Sequence, residues 1–418
     1  MTDTDLLASL PAHLLDDILK RLALRDAVRT SALSRAWRRR WESVPGLSLS
    51  FPDGAPPSVI SGVLFLYTAP RISHFAACEI NEQSASHLDH WLITLSRRSV
   101  QSICIDLDQD LWYSDRGLLH SSIFSCTRLV SLDLRWCAIP SLSTGFSGFP
   151  VLEKLCLDAV RFLEHGERQL QAIVRGSPLL RVLKLEHVEN PVDCVIDAPN
   201  VRRLIYCSEF VNIDSGRFRE RFGELPCLQD AAISAPLAST PDCLSLLLAV
   251  VARVRLLTFC WLEERFKIDS IPFTFYNLRT LELWIHFSTI NPIISLFSLL
   301  RSSPNLEKLK VQLQNPGMVA DWEFLNAQWT DGMCANLQIV EIISNPVHGW
   351  LPISLMKLIL SKASLLRTMS VDICLGSQDD QLNELLTCRR VSAQAQVLFE
   401  TASQARRQAQ AYVLLLLC

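Results

Sequence analysis

Few side chains in this sequence have the types and spacing that bond-making chemistry requires. His87 and His90 flank Asp89, and three donors so close could be imagined around a metal ion. No cysteine or further carboxylate stands at ligand spacing from them, so the trio reads as solvent-facing polar residues on a helix. Asp106, Asp108 and Asp110 alternate along the chain, but a calcium loop needs a glycine-pivoted twelve-residue pattern that they lack. There is no glycine-rich phosphate loop, no Gly-x-Ser-x-Gly elbow and no His-Glu-x-x-His helix. No catalytic residue, metal ligand or cofactor is expected. The dense basic run, Arg35 with Arg38-Arg39-Arg40, reads as a solvated helix face, with a nuclear-localisation signal as second reading.

The chemistry on offer is that of binding, and it depends on two kinds of element. The first is a pair of helices near the N-terminus. Leu14, Leu15, Ile18, Leu19 and Leu22 follow one helical stripe after Leu10-Pro11, with Asp16, Asp17, Lys20 and Arg21 between them. Pro11 suits a first helical turn, where its missing N–H costs nothing. Asp26 is placed to cap a second helix, along which Leu33, Trp37 and Trp41 recur at i, i+4 and i+8, and Pro45 ends it. So short a unit cannot hide this much apolar surface by itself. A partner, or the rest of the chain, must cover it.

Leu10-Pro11, Leu14 to Ile18, Leu22, Asp26-Ala27-Val28-Arg29-Thr30-Ser31, Leu33-Ser34, Arg38, Trp41 and Val44-Pro45 together resemble the F-box, in the form that opens plant F-box proteins with leucine-rich repeats. The resemblance implies an F-box unit over residues 1–48 that binds a Skp-type adaptor, and through it a cullin scaffold and a ubiquitin-conjugating enzyme. It makes Leu10, Pro11, Leu14, Ile18, Leu22, Val28, Leu33 and Trp37 adaptor-facing or motif-core positions. Ala36 departs from the pattern, since many relatives carry Lys or Arg there.

The second kind of element is a repeat of apolar-x-x-apolar-x-apolar. Its clearest copies are Leu129-x-x-Leu132-x-Leu134, Leu152-x-x-Leu155-x-Leu157, Leu180-x-x-Leu183-x-Leu185, Leu278-x-x-Leu281-x-Leu283 and Leu306-x-x-Leu309-x-Val311. Weaker copies begin at Val100, Val201, Leu228, Val254, Leu337 and Leu366, and successive starts lie 21 to 31 residues apart. The pattern is an irregular leucine-rich repeat, each copy a short strand whose spaced apolar residues point inward and whose intervening residues point out. Segments 88–95, 167–174 and 293–300 read as helices on the convex side, with Ser177-Pro178 and Ser303-Pro304 marking the return to the next strand. The expected fold is α/β: F-box helices, then a leucine-rich-repeat solenoid over residues 65–330 with short parallel strands and convex helices. Residues 331–400, through Asn336 to Ile342, Leu358 to Lys362, Leu365 to Met369 and Arg389-Arg390, resemble the FBD-like region that follows such repeats. Residues 401–418 form a tail with no assigned role.

Composition narrows the partners. With 418 residues, 49% of them hydrophobic, the chain can bury a large core. A net charge of −3 gives no electrostatic reason to expect nucleic acid. The apolar runs at 244–252 and 412–418 are too short to span a bilayer, so no membrane association is expected. Fourteen cysteines without Cys-x-x-Cys spacing, behind the acidic start Met1-Thr2-Asp3-Thr4-Asp5, point to reduced thiols in cytoplasm or nucleus. The outward strand positions, among them Asp133, Arg135, Lys154, Lys184, Glu282, Trp284, Lys308 and Lys310, are mixed in sign and suit an unidentified protein target. The expected function is that of a substrate receptor in a cullin-based ubiquitin ligase. A scaffold without ubiquitin transfer, and a receptor completed by a small molecule, are the alternatives.

Overall fold

A computed structural model describes residues 11–35, 37–112, 114, 117–143, 145–163, 166–189, 196–207, 225–234, 247–260, 267–285, 289–313, 321–343, 351–373 and 379–401. The contacts divide the chain into two compact units, Met1–Val201 and Arg202–Cys418.

The first unit opens with helices α1 (Ala12–Arg21) and α2 (Leu24–Arg29). Strand β1 (Leu47–Ser50), helix α3 (Pro57–Leu66), strand β2 (Arg71–Ile80) and helices α4 (Glu82–Ala85) and α5 (Leu88–Ser96) follow. Then come β3 (Ser99–Val100), β4 (Ser102–Leu107), β5 (Ser131–Arg135), β6 (Ala138–Ile139), β7 (Lys154–Asp158), β8 (Arg161–Phe162), α6 (Gly166–Arg175) and β9 (Val182–Glu186). Strands β1, β2, β4, β5, β7 and β9 pair in that order, all parallel, with β3 on β2 and a separate β6–β8 pair.

Register explains why the repeat spacing builds a core. Ile103, Leu132, Leu155 and Leu183 stand in line across β4, β5, β7 and β9, and Ile105, Leu134, Leu157 and Leu185 form a second line. All eight are buried. Helix α5 turns Leu88, Trp91, Leu92 and Leu95 inward, and the Trp91 indole N–H donates to Ser61 Oγ on α3 at 2.8 Å.

The second unit repeats the plan with β10 (Arg203–Cys207), β11 (Asp230–Ser234), β12 (Leu256–Cys260), β13 (Thr280–Ile285), β14 (Lys308–Leu313), β15 (Ile339–Ile343), β16 (Thr368–Ile373) and β17 (Gln396–Thr401), paired in sequence and all parallel. Helices Ile290–Arg301, Trp322–Gln328, Ile353–Lys362 and Asp379–Thr387 lie between the later strands. Leu204, Ala231, Leu257, Leu281, Leu309, Val340 and Met369 make a continuous buried line across β10 to β16. The strands at Ile339–Ile343, Thr368–Ile373 and Gln396–Thr401, within or at the end of the FBD-like terminal repeat region expected over residues 331–400, join this same ladder.

Each of the eleven expected repeats carries a strand. Six further strands were not expected, of which β3, β6 and β8 are two-residue pieces. β1 and β2 carry the same signal in Val44-x-x-Leu47-x-Leu49 and Ile72-x-x-Phe75-x-Ala77, the first hidden within the F-box boundary and the second weakened by alanine. β17 follows a polar residue, Gln394, where the repeat has leucine. The expected helices appear as α5, α6 and Ile290–Arg301. Buried Ser177 and Ser303 end the latter two alike: each hydroxyl donates to the carbonyl four residues back, Ile173 and Leu299, at 2.7 Å.

One turn is held by two glycines in backbone contact. Gly148 has a φ of +101°, and a Cβ there would strike the backbone of Gly176. A Cβ on Gly176 would strike the Gly148 Cα in return.

Candidate partner-binding surfaces

Helix α1 splits its apolar stripe in two. Leu15 and Leu19 are buried against the unit, while Leu14 and Ile18, one residue before each, are 40% and 37% exposed. Such paired i, i+4 leucine and isoleucine side chains are neighbours on one helix face. Pro11 precedes the helix as its cap rather than entering the first turn, and its carbonyl accepts from the N–H groups of Leu14 and Leu15 at 3.0 and 3.3 Å. Leu22 and Val28 are half-buried, and Leu33 is 60% exposed. Leu10 and Ala36 lie outside the described residues.

The second helix differs from expectation. Asp26 does not cap it: α2 begins at Leu24 after Ala23, and Asp26 lies in its first turn, where a negative charge suits the helix dipole. Nor does one helix run from there to Trp41. α2 ends at Arg29, the Thr30 hydroxyl donates to the Ala27 carbonyl at 2.7 Å, and Arg39 takes a left-handed φ of 63° before a short 3-10 turn at Arg40–Ser43. Leu33 and Trp37 therefore do not share a face. Trp37 and Trp41 are buried at 2% and 4%, so Trp37 packs inside the unit and presents almost no surface. The basic run is not simply solvated either. The Arg40 guanidinium donates to Asp16 Oδ1 at 2.8 and 3.0 Å and to the Ala12 carbonyl at 2.8 Å, tying this turn to α1. Arg39 donates to Glu42 at 2.9 Å, and that hydrogen bond raises its pKa above the ordinary value.

The outward strand faces carry interleaved charges. In the first unit Asp106, Arg135, Asp158 and Glu186 align across β4, β5, β7 and β9, with Cys104, Asp133, Cys156 and Lys184 in the row behind them. Arg135 bonds Asp133 at 3.3 Å, and Lys184 lies 3.0 Å from Glu186 and 3.9 Å from Asp158. Asp133 and Lys184 are buried, so these two expected target contacts are enclosed by their own ladder; Arg135 and Lys154 are half-buried. In the second unit Glu282 and Lys310 are likewise buried, side by side in register, with the Thr258 hydroxyl donating to Glu282 at 3.4 Å. Trp284 is half-buried, and Lys308 pairs with Glu341 at 2.6 Å. The expectation of an open strip is thus revised. A charged side chain flanked by strands 4.7–4.9 Å away is covered by its neighbours across the ladder.

Burial and the nearby Asp133 and Asp158 carboxylates push Asp106 up to about 6, against the pull of Arg135. A carboxyl whose pKa rises on folding opposes folding when ionised. Its cost is complete above about 6 and is relieved as pH falls towards 3.8. Asp106→Asn should therefore raise the urea midpoint at pH 7.5 and leave it nearly unchanged at pH 4; a lower midpoint at pH 7.5 would show that the pairing with Arg135 dominates. Beside Asp106, the Cys104 and Cys78 thiols share a hydrogen bond, which lowers the pKa of Cys78 and raises that of Cys104.

Among the described residues no group of three His, Cys, Asp or Glu side chains could hold a metal ion, and no helix is long and apolar enough to cross a membrane.

Comparison with known proteins finds two family matches along the chain. Residues 7–48 match the F-box domain, and residues 88–311 match the family described as FBD-associated F-box protein At5g56370, LRR repeats. F-box/FBD/LRR-repeat protein At1g13570 of Arabidopsis thaliana is 26% identical, over 94% of this chain and 98% of that protein. F-box/FBD/LRR-repeat protein At1g51370 of Arabidopsis thaliana is 29% identical over 50% of this chain and 47% of its own length. FBD-associated F-box protein At5g56370 of Arabidopsis thaliana is 26% identical over 73% and 75%.

Proposed function

Because the chain belongs to the FBD-associated F-box family with leucine-rich repeats, we propose that it is the substrate-recognition subunit of an SCF-type cullin ubiquitin ligase. In this reading the F-box face formed by Leu14, Ile18 and Leu33, with Pro11, Leu22 and Val28 at its margin, docks on a Skp-type adaptor. The outward strand faces receive a protein target. The chain performs no bond chemistry of its own: it raises the local concentration of a target lysine near the conjugating enzyme's thioester, an effective-molarity role. It would act in the cytoplasm or the nucleus, where the cullin machinery works.

The observation that carries this reading is the divided stripe of α1. A helix whose Leu15 and Leu19 already satisfy the core has no internal use for Leu14 and Ile18. Apolar side chains left at helical spacing on an exposed face are the signature of helix recognition by a groove. Purifying the full chain from cells and probing for a Skp adaptor and a cullin tests it. Recovery of both supports the receptor; an adaptor without a cullin would favour a scaffold.

Within the target face, Trp284 keeps enough exposure to anchor a partner; its register partner is Gln312, and Lys308 stands opposite Thr280, four positions back along the strand. Trp284→Ala with Lys308→Glu should reduce target recovery in proximity labelling about tenfold while leaving adaptor recovery unchanged. Unaltered target recovery would move the binding site to the loops.

A further inference from the structure

The residue that immediately precedes each strand forms a row of its own along the sheet. In the second unit the N–H groups of Gln229 and Asp230 donate to the Arg202 carbonyl at 2.8 and 3.0 Å, and those of Arg255 and Leu256 donate to the Gln229 carbonyl at 2.7 and 3.2 Å. Arg202, Gln229 and Arg255 are therefore successive rungs. With strands about 4.8 Å apart, the two arginine α-carbons stand about 10 Å from each other across the glutamine. Arg279 occupies the next rung.

Two other arginines of this row are paired with a carboxylate on the adjacent rung. Arg181 reaches Glu153 on the adjacent rung at 3.4 Å, and Arg279 reaches Glu307 at 3.0 Å. Between Arg202 and Arg255 the rung carries Gln229, with no charge. Neither of these arginines, nor Arg253, has an acidic partner among the described residues. The three line one open cleft of about 410 Å³ with Cys227, Gln229 and Asn277. The Arg253 backbone is fixed there, since the Asn277 side-chain amide donates to its carbonyl at 3.2 Å. Like charges gathered in one cleft repel one another, and an anion reverses the sign of that energy.

We propose that this cleft binds a dianionic phosphoryl group. Guanidinium forks match tetrahedral oxyanions in pairs of parallel hydrogen bonds. Three forks correspond to the three terminal oxygens of a phosphate monoester, whereas a carboxylate offers two. Gln229 and Asn277 add neutral donors. The cleft is wide and open, which lets the phosphoryl group arrive on something larger; both a free phosphate ion and a phosphorylated side chain of another protein present the same chemistry. A nucleic acid strand is not indicated, because the unpaired arginines form a cluster and not a track.

Titration calorimetry on the full chain, at constant ionic strength set with sodium chloride, tests the proposal with two probes, sodium phosphate and O-phosphoserine. Saturable binding of at least one is expected. Arg202→Gln, Arg253→Gln and Arg255→Gln should each weaken it about tenfold, the worth of a hydrogen bond to a charged group. Arg279→Gln, whose guanidinium is already paired with Glu307, should change it less than twofold. Phosphoserine binding at least tenfold tighter than phosphate identifies a phosphorylated side chain as the source, and equal affinity identifies the free ion. No saturable heat with either probe, or equal losses in the Arg279 variant and the other three, overturns the proposal. All four positions are exposed, so unchanged circular dichroism is expected throughout.

Discussion

Replacing Leu14 and Ile18 together by aspartate is expected to abolish adaptor capture, lowering affinity several hundredfold or more, with no loss of the chain's own fold. Each side chain, once covered by a partner, contributes roughly 1.5–3 kcal/mol through burial alone. An aspartate at either site would also have to lose its water without gaining a counter-charge, which adds several kcal/mol. Exposure at 40% and 37% means the free protein loses little by the change, whereas Leu15→Ala, at a site 4% exposed, should destabilise by about 2–5 kcal/mol. Surface plasmon resonance with an immobilised Skp adaptor, alongside thermal melts, separates the two effects. Binding that survives the double aspartate substitution would remove the exposed α1 stripe from the interface.

The second large effect is expected at Gly148. Its φ of +101° is a conformation that residues bearing a Cβ rarely adopt, and the added carbon would meet the Gly176 backbone, which has no side chain to swing aside. The conformational strain alone costs about 1–2 kcal/mol. The collision must then be relieved by moving the end of α6 or the turn before β7. Gly148→Ala should cost about 3 kcal/mol or more, within the range where a single change unfolds a marginal unit. Gly62→Ala, where nothing lies within 4 Å of the new carbon, is the matched control. Similar urea midpoints for the two variants would show that the turn yields easily.

The strands were legible because their signal is redundant. Leu281 and Leu283 point inward with Glu282 and Trp284 outward, as alternation requires, and ten other copies repeat the spacing at a restrained period. The helical residues of α1 were legible as a stripe, but which half faced a partner was not. Leu14 and Leu15 differ by a single helical step, and only the packing of α1 on the unit distinguishes them. Trp41 reads as continuous with Trp37 only if helical spacing holds across Arg39, whose left-handed backbone leaves no trace in a residue type that seldom adopts it. Exposure on the strand faces was the least legible property. Lys184 reads as a surface residue in isolation, and its burial depends on Asp158, 26 residues earlier, and on Glu186 two residues later. The cluster at Arg202, Arg253 and Arg255 was invisible for the same reason, since its character lies in the neighbouring rung, where Gln229 stands in place of a carboxylate.

Four asparagines reach backwards along the chain. The side-chain amides of Asn200, Asn277, Asn305 and Asn336 donate to the carbonyls of Pro178, Arg253, Tyr276 and Pro304 at 2.7, 3.2, 2.9 and 3.0 Å, each in the turn that precedes the previous strand. The separations are 22, 24, 29 and 32 residues. During synthesis each of these turns must wait for the next repeat to leave the ribosome before its carbonyl exchanges water for the asparagine amide. At about 5–20 residues per second that delay is on the order of one to several seconds per repeat, longer than helix or hairpin formation by several orders of magnitude. Over the consecutive repeats of Asn277, Asn305 and Asn336 the nascent protein thus carries one unfinished turn at its growing end, and a ribosome stalled between Pro304 and Asn336 would hold that turn open to chaperones.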